Sequence, residues 1–190
     1  MSHLILSMFL TLDGFVEGTD GTLIRPDWSD DMEQHWSRPN IAPGSVLLYG
    51  RRAFEQNAAL WPAMEKDERN AAGFRALART MNELPKVVLS STLTSVQWKA
   101  QVSNASLVET VQHLKRTFAG DINAVGGVTL AASLLAADLV DEYRLLLMPK
   151  LFGSGHSLFK QPHAPISLQL ADVLRTDTGA VRLTYRRARS

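Results

Sequence analysis

Three short apolar runs, each ending in small or cationic residues, constrain the fold of this chain more than any other feature. They cover residues 45–49, 86–89 and 121–125, and they end at Gly50-Arg51-Arg52, Ser90-Ser91-Thr92 and Gly126-Gly127-Val128-Thr129. Each run predicts a buried strand, and the first and third lead directly into helical patterns. Backbone N–H groups at a helix start lack partners and lie at the positive end of the helix dipole, so such turns bind anions. Three of them in one small domain predict a long, multiply charged ligand, such as a dinucleotide.

The composition is that of an ordinary single domain. With 190 residues, the chain is long enough to bury one sizeable core. Twenty Lys and Arg against nineteen Asp and Glu leave a net charge of +1, which gives no general attraction to nucleic acid or to an anionic membrane. The absence of cysteine excludes disulfides and thiolate catalysis, and the five histidines have no metal-ligand spacing. We therefore expect no metal site and no nucleic-acid partner.

The termini point to a protein that stays in the cytoplasm. Residues 1–6 lack the cationic start of a signal peptide, and no apolar stretch approaches the ~20 residues needed to cross a bilayer. Arg182 and Arg186 make the C-terminal region basic, but they occupy the polar face of an alternating strand. We expect a cytoplasmic protein without a membrane segment.

Strand and helix patterns alternate along the chain. Residues 4–12 form a nearly continuous apolar run that predicts a central strand, stopped by Asp13-Gly14. Ser29 precedes acidic residues typical of a helix start, and we expect that helix to end at Pro39. Further helices are predicted from Arg51 to about Leu60 (ended by Trp61-Pro62), over 74–81, from 106 to 118 and over 128–139. The remaining predicted strands cover 86–90, 143–148 and two alternating runs around Asp177-Thr178-Gly179.

This order predicts an α/β fold. Strands that alternate with helices form a mostly parallel central sheet with flanking helices, and the last two runs add an antiparallel C-terminal hairpin. We find no repeat or convincing linker, so residues 1–190 are predicted to form one domain.

The order of these segments resembles a known superfamily. The strand ending at Leu12-Asp13-Gly14, then Tyr49-Gly50-Arg51-Arg52, Leu89-Ser90-Ser91 and Val125-Gly126-Gly127 follow the order seen in dihydrofolate reductase-like proteins, which have a three-layer fold. Residues 139–149, with Leu151-Phe152-Gly153-Ser154-Gly155, narrow the resemblance to the riboflavin-biosynthesis reductase C-terminal domain family. The resemblance extends from Leu4 to Tyr185 and suggests a stand-alone member.

The resemblance implies an NADPH-binding homodimer. In such proteins the Gly-Arg turn holds the dinucleotide phosphates, a role that maps onto Gly50, Arg51 and Arg52. The Leu-Ser-Ser turn lies near the adenosine ribose and its 2′-phosphate, which maps onto Ser90 and Ser91. The Gly-Gly turn approaches the pyrophosphate, which maps onto Gly126 and Gly127, with Val128 and Thr129 completing the helix start.

Two departures from the family pattern concern the substrate and one phosphate contact. Ala53 stands where many members have threonine, so one phosphate-contacting hydroxyl is missing. The acidic residue that orients a pterin has no single match, and Asp27, Asp30, Asp31 and Glu33 all fall in its region. Asp13 follows the first strand at the edge where α/β folds bind ligands, and it is our candidate catalytic acid, although a loop former would equally occupy this place.

We therefore expect an NADPH-dependent oxidoreductase that transfers hydride to a small heterocyclic or carbonyl substrate. The closest activity by resemblance is that of 5-amino-6-(5-phosphoribosylamino)uracil reductase. In bifunctional enzymes that domain is joined to a zinc deaminase, which we do not expect in this sequence because it has no cysteine. The alternative is a non-catalytic dimer that binds NADPH or a nucleotide as a sensor or as a platform for partners.

Overall fold

An eight-stranded sheet organises the chain. The computed structural model describes residues 2–159 and 165–188, and the strand order in its main sheet is β5-β4-β3-β6-β1-β7-β10-β9. The strands are β1 (Leu4–Thr11), β3 (Val46–Gly50), β4 (Lys86–Leu89), β5 (Ala100–Ser103), β6 (Ile122–Ala124), β7 (Glu142–Met148), β9 (Leu168–Arg175) and β10 (Val181–Arg187), with β2 (Phe15–Glu17) and β8 (His156–Ser157) forming a separate pair. Strands β5, β4, β3, β6, β1 and β7 are parallel, whereas β10 runs antiparallel to both β7 and β9.

Helices cover both faces of the sheet. The helices are α1 (Asp30–Met32), a π-helical turn (Glu33–Ser37), α2 (Arg38–Asn40), α3 (Arg51–Lys66), α4 (Ala72–Glu83), α5 (Leu107–Thr117) and α6 (Val128–Ala136). Apolar residues of α5 and α6, such as Leu114 and Leu134, pack with Leu4 and Leu6 on one face. On the other face, α3 and α4 cover β3 and β4, and the helical segment 30–40 covers β7. The predicted dihydrofolate reductase-like three-layer α/β fold is confirmed.

The predicted end of the third helix at Trp61-Pro62 is wrong. Helix α3 continues through Pro62 to Lys66. Its last turns are held against α4, where the Trp61 ring lies 6.1 Å from that of Phe74 and Asn82 Nδ2 donates to Glu65 Oε2 at 2.7 Å. Tertiary contacts therefore outweigh the hydrogen bond that proline removes.

Three short strands were not predicted. Strand β5 (Ala100–Ser103) is a half-buried edge strand of only four residues, and β2 and β8 have three and two residues. Strands this short depend on pairing between distant segments, which local patterns do not report. The helix predicted from Ser29 begins there as expected, but its middle is the π-helical turn and it extends to Asn40.

Candidate functional site: three turns at one sheet edge

The three predicted anion-binding turns lie side by side. Strands β4, β3 and β6 are parallel neighbours, so their carboxyl ends meet at the same edge of the sheet. Gly50 is the N-cap of α3 and lies opposite Leu89 at the end of β4. Gly127 is the N-cap of α6, and the preceding Val125 N–H donates to the Leu48 carbonyl at 2.9 Å. The structure thus brings the predicted residues of all three turns to one edge.

Gly126 lies between the starts of α3 and α6. A Cβ atom built at Gly126 would lie 3.4 Å from the Ala53 Cβ, 3.6 Å from Leu130 Cδ2 and 3.9 Å from the Gly50 backbone nitrogen. The Cβ position of Gly126 therefore points towards the first turn, at Gly50 and Ala53. This proximity lets the N–H groups of two helix starts act on one ligand.

Arg51 connects the first turn to the second. Its Nη1 donates to the Thr92 hydroxyl at 2.9 Å, and its Nε donates to Glu55 Oε1 at 2.8 Å. The guanidinium borders an open cavity of about 400 Å³ that is also lined by Leu89, Ser90, Ser91, Thr92, Ser103, Asn104 and Ala105. A guanidinium among hydroxyl and amide groups suits a phosphate or a phosphorylated ribose.

The hydroxyl groups after β4 have different roles. Ser90 Oγ accepts hydrogen bonds from the backbone N–H groups of Thr92 and Leu93 at 3.2 and 3.1 Å, which shapes the turn. Ser91 is exposed at the cavity. At the start of α6, Thr129 is exposed and Val128 is half-buried. Ser91 is therefore better placed than Ser90 to donate to a ligand.

Arg52 faces a different element from Arg51. A Cβ atom built at Gly21 would lie 2.6 Å from Arg52 Nη2, so the loop after β2 rests directly on this guanidinium. Gly21 has φ of +80°, a conformation that glycine adopts without strain. The two arginines thus bracket the first turn, with Arg51 towards β4 and Arg52 under the loop that follows β2.

The paired strands β2 and β8 place a carboxylate on the third turn. A Cβ atom built at Gly127 would lie 2.8 Å from Glu17 Oε1. The Glu17 side chain is only 14% exposed, and its Oε2 lies 3.3 Å from His156 Nδ1. Glu17 and His156 are partners in the two-stranded sheet. Neither residue was predicted as part of the site, because only the folded chain brings them to Gly127.

Asp13 holds a loop. Its carboxylate accepts hydrogen bonds from Thr11 Oγ1 at 2.6 Å, from the Phe152 N–H at 3.0 Å and from the Gly153 N–H at 2.8 Å. These hydrogen bonds, that from Thr11 first, lower the pKa of Asp13 below its usual value. An ionised carboxylate with three donors is suited to anchoring residues 151–153 and poorly suited to donating a proton.

The other four acidic candidates diverge. Asp27 pairs with Lys150 at 3.1 Å, Asp31 accepts from the Asp177 N–H at 3.0 Å, and Glu33 pairs with Arg38 at 3.7 Å, while Asp30 is exposed. They do not converge on one point, so the geometry selects none of them as a substrate-orienting acid.

Two further expectations concern metal sites and membrane-spanning helices. Within residues 2–159 and 165–188, no group of three or more His, Asp or Glu side chains is arranged to hold a metal ion. His163 lies outside these residues. None of the helices described in these two segments combines the length and apolar character that crossing a membrane requires.

The sheet order defines the class of protein, an α/β domain of the dihydrofolate reductase-like type. The family described as RibD C-terminal domain matches residues 2–182, and this chain belongs to that family. YyaP, an uncharacterized Bacillus subtilis (strain 168) protein, is 28% identical over 183 residues, which cover 96% of this chain and 94% of YyaP.

Solved structures have the same fold. A putative riboflavin biosynthesis protein from Shewanella sp. PV-4 superposes with a TM-score of 0.74 at 20% identity, covering 98% of this chain and 99% of that one. A diaminohydroxyphosphoribosylaminopyrimidine deaminase/5-amino-6-(5-phosphoribosylamino)uracil reductase from Thermotoga maritima gives 0.68 at 16% identity, covering 98% of this chain and 57% of that one. This chain therefore spans little more than half of the bifunctional protein, and at these identities the likeness establishes the fold.

Proposed function

We propose that this protein is an NADPH-dependent reductase of a small heterocyclic or carbonyl compound. The observation that carries the proposal is the convergence of three anion-binding turns on one sheet edge, where Arg51 connects two of them through Thr92. Membership of the RibD C-terminal domain family supports the same function. A dinucleotide is long enough to engage all three turns, whereas a single phosphate would need only one.

We assign different parts of the cofactor to different turns. Arg51, Ser91 and the cavity they border suit the adenosine ribose and its 2′-phosphate. The starts of α3 and α6 at Gly50 and Gly126-Gly127 suit the diphosphate, because their backbone N–H groups are close together and unobstructed by a Cβ atom. This arrangement favours NADPH over NADH, since the 2′-phosphate is the only difference between them.

We propose that the substrate binds beside the strand that neighbours β6. Strand β1 lies between β6 and β7, so the end of β1 neighbours the strand that leads into the Gly126-Gly127 turn, and the end of β7 is one strand further away. Bound NADPH supplies the hydride, and the protein aligns the acceptor carbon with the nicotinamide and excludes water. Because Asp13 is ionised and held by backbone N–H groups, we assign it to positioning the loop and assign the accompanying proton to bound water.

We also propose that two copies of this protein form a homodimer by pairing through the edge strand β9. This edge strand is exposed along nearly its whole length. A bulge opposite Thr184 and Tyr185 brings Leu168, Leu170 and Val173 to one face, with exposures of 39%, 51% and 53%. A long edge strand without proline or lysine, carrying three exposed apolar side chains on one face, is a template for pairing with another strand. A second copy of β9 presents the same apolar face.

The function is tested by NADPH oxidation. The purified protein is incubated with NADPH and, in turn, 5-amino-6-(5-phosphoribosylamino)uracil, pterins and reactive carbonyl compounds, and absorbance of the reduced nicotinamide is followed. We expect turnover with at least one of these compounds. Tight NADPH binding without turnover across the panel would instead support the non-catalytic sensor or platform, and absence of NADPH binding would contradict the proposed reductase.

A further inference from the structure

The carboxylate of Glu17 lies beside Gly127, in the turn to which the proposed function assigns the diphosphate. A Cβ atom built at Gly127 would lie 2.8 Å from Glu17 Oε1. The carboxylate therefore lies in space that is open only because residue 127 is a glycine. Gly127 is the N-cap of α6, a nine-residue helix whose first N–H groups attract anions. The chain thus presents its own anion to this helix start.

The backbone holds Glu17 in this position. Strand β2 pairs with β8, and a Cβ atom at Gly155 would lie only 2.2 Å from the Glu17 carbonyl oxygen. On the side away from Gly127, Glu17 Oε2 lies 3.3 Å from His156 Nδ1. The side chain is 14% exposed, which leaves little water to screen its charge.

The same loop also covers the first turn. Gly21 rests on the Arg52 guanidinium, and Asp20 precedes it in the loop. Residues 17–21 therefore lie against both helix starts, with Glu17 at Gly127 and Gly21 on Arg52. A diphosphate bound there would have to displace Glu17 or accept a like charge at close range.

We propose that Glu17 is a specificity-determining residue that competes with the cofactor's diphosphate for the Gly126-Gly127 turn. This inference rests on the proposed function, because it needs the diphosphate to bind at this turn. The carboxylate lowers the affinity for every ligand with a diphosphate and leaves ligands that occupy only the Arg51 cavity unaffected. At this turn Glu17 thereby discriminates against free phosphate and short anions, which lack the further contacts needed to displace it.

The test compares two ligands and three proteins by isothermal titration calorimetry. NADP⁺ contains the diphosphate, whereas adenosine 2′-monophosphate carries only the part assigned to the Arg51 cavity. The proteins are the wild type, Glu17→Gln and the control Glu83→Gln, which removes one exposed negative charge at the end of α4. We expect Glu17→Gln to tighten NADP⁺ binding about tenfold, with adenosine 2′-monophosphate and the control unchanged.

Each other outcome has one meaning. Unchanged or weaker NADP⁺ binding by Glu17→Gln overturns the inference while leaving the proposed function intact. Equal tightening for both ligands, or the same effect in Glu83→Gln, also overturns it, because the effect would be one of overall charge. If neither ligand binds any of the three proteins, the proposed function fails as well. Should Glu17→Gln not fold, Glu17→Asp shortens the side chain by one methylene group and is expected to tighten NADP⁺ binding to a smaller extent.

Discussion

The Arg51 guanidinium donates from Nη1 to the Thr92 hydroxyl at 2.9 Å, so the start of α3 is joined directly to the turn after β4. Glu55, one turn further along α3, accepts from Arg51 Nε at 2.8 Å and fixes the other side of the same group. The arginine is therefore oriented before any ligand arrives, although half of its side chain is exposed (53%). A preoriented guanidinium loses little conformational freedom on binding phosphate.

Gly126 is predicted to be necessary for cofactor binding but not for folding. The branched side chain of Gly126→Val would fill the space between the starts of α3 and α6, next to Ala53 and Leu130. We expect NADPH affinity to fall at least about tenfold, while the free energy of unfolding changes by less than ~2 kcal/mol. Ala136→Val, at the exposed far end of α6, is the matched control. Unaltered NADPH affinity in Gly126→Val would remove this turn from the cofactor site.

Asp13 is predicted to stabilise the loop in a pH-dependent manner. Its pKa in the folded protein is lowered by hydrogen bonds from Thr11, Gly153 and Phe152, so its contribution is present above the unfolded pKa and disappears as pH falls through the folded one. Asp13→Asn should lower the melting temperature near neutral pH, and the difference from wild type should shrink below about pH 4. Thermal unfolding followed by circular dichroism across this pH range measures it. A difference that stays constant or grows in acid would show that ionised Asp13 does not anchor residues 151–153.

Gly120 is predicted to be required for stability rather than for function. A Cβ atom there would lie 2.4 Å from the Gly44 carbonyl oxygen and 2.8 Å from the Ser45 nitrogen, and backbone atoms have little room to move. Gly120→Ala should lower the free energy of unfolding by about 2–3 kcal/mol in urea denaturation. Gly126→Ala, whose nearest neighbour would be at 3.4 Å, serves as the control and should cost less. Equal losses in the two variants would mean that the close approach at Gly120 is relieved by a small shift.

Val173 is predicted to contribute to a dimer interface. It is 53% exposed on β9, on the same face as Leu170, and Val173→Lys would place a charge on this apolar face. We expect light scattering after gel filtration to show a dimer for the wild type and a monomer for Val173→Lys. Gln101→Lys makes the same change at the opposite edge of the sheet, on β5, and should leave the dimer intact. A dimer that persists in Val173→Lys would place the interface elsewhere.

The sequence predicted those parts of the fold that have strong local patterns. The apolar run 4–12 and the alternation around 181–186 correspond to β1 and β10, because a buried strand and a half-exposed strand each have a distinct periodicity. Helix α3 was predicted too short because the effect of Pro62 is local, whereas the contacts of Trp61 and Glu65 with α4 are not.

The residues of the candidate site likewise fall into those that local sequence patterns predict and those that only long-range contacts bring together. Gly50, Arg51 and Gly126 are recognisable because strand-to-helix turns have a compact sequence signature. The contacts of Glu17 with Gly127, of Arg51 with Thr92 and of Asp13 with Phe152 join segments far apart in the chain. No spacing rule within a single sequence reports such contacts, so the partners of Asp13 and the presence of Glu17 emerge only from the folded structure.

The most direct test of the proposed cofactor site is the affinity of the protein for NADPH and NADH before and after Arg51→Ala. Fluorescence titration of the wild type should give tighter binding of NADPH than of NADH, because we propose that Arg51 and the cavity it borders hold the 2′-phosphate. Arg51→Ala should weaken NADPH binding about tenfold or more and NADH binding much less, with Arg52→Ala measured alongside. If neither substitution weakens NADPH binding, the assignment of the three turns to the cofactor is wrong.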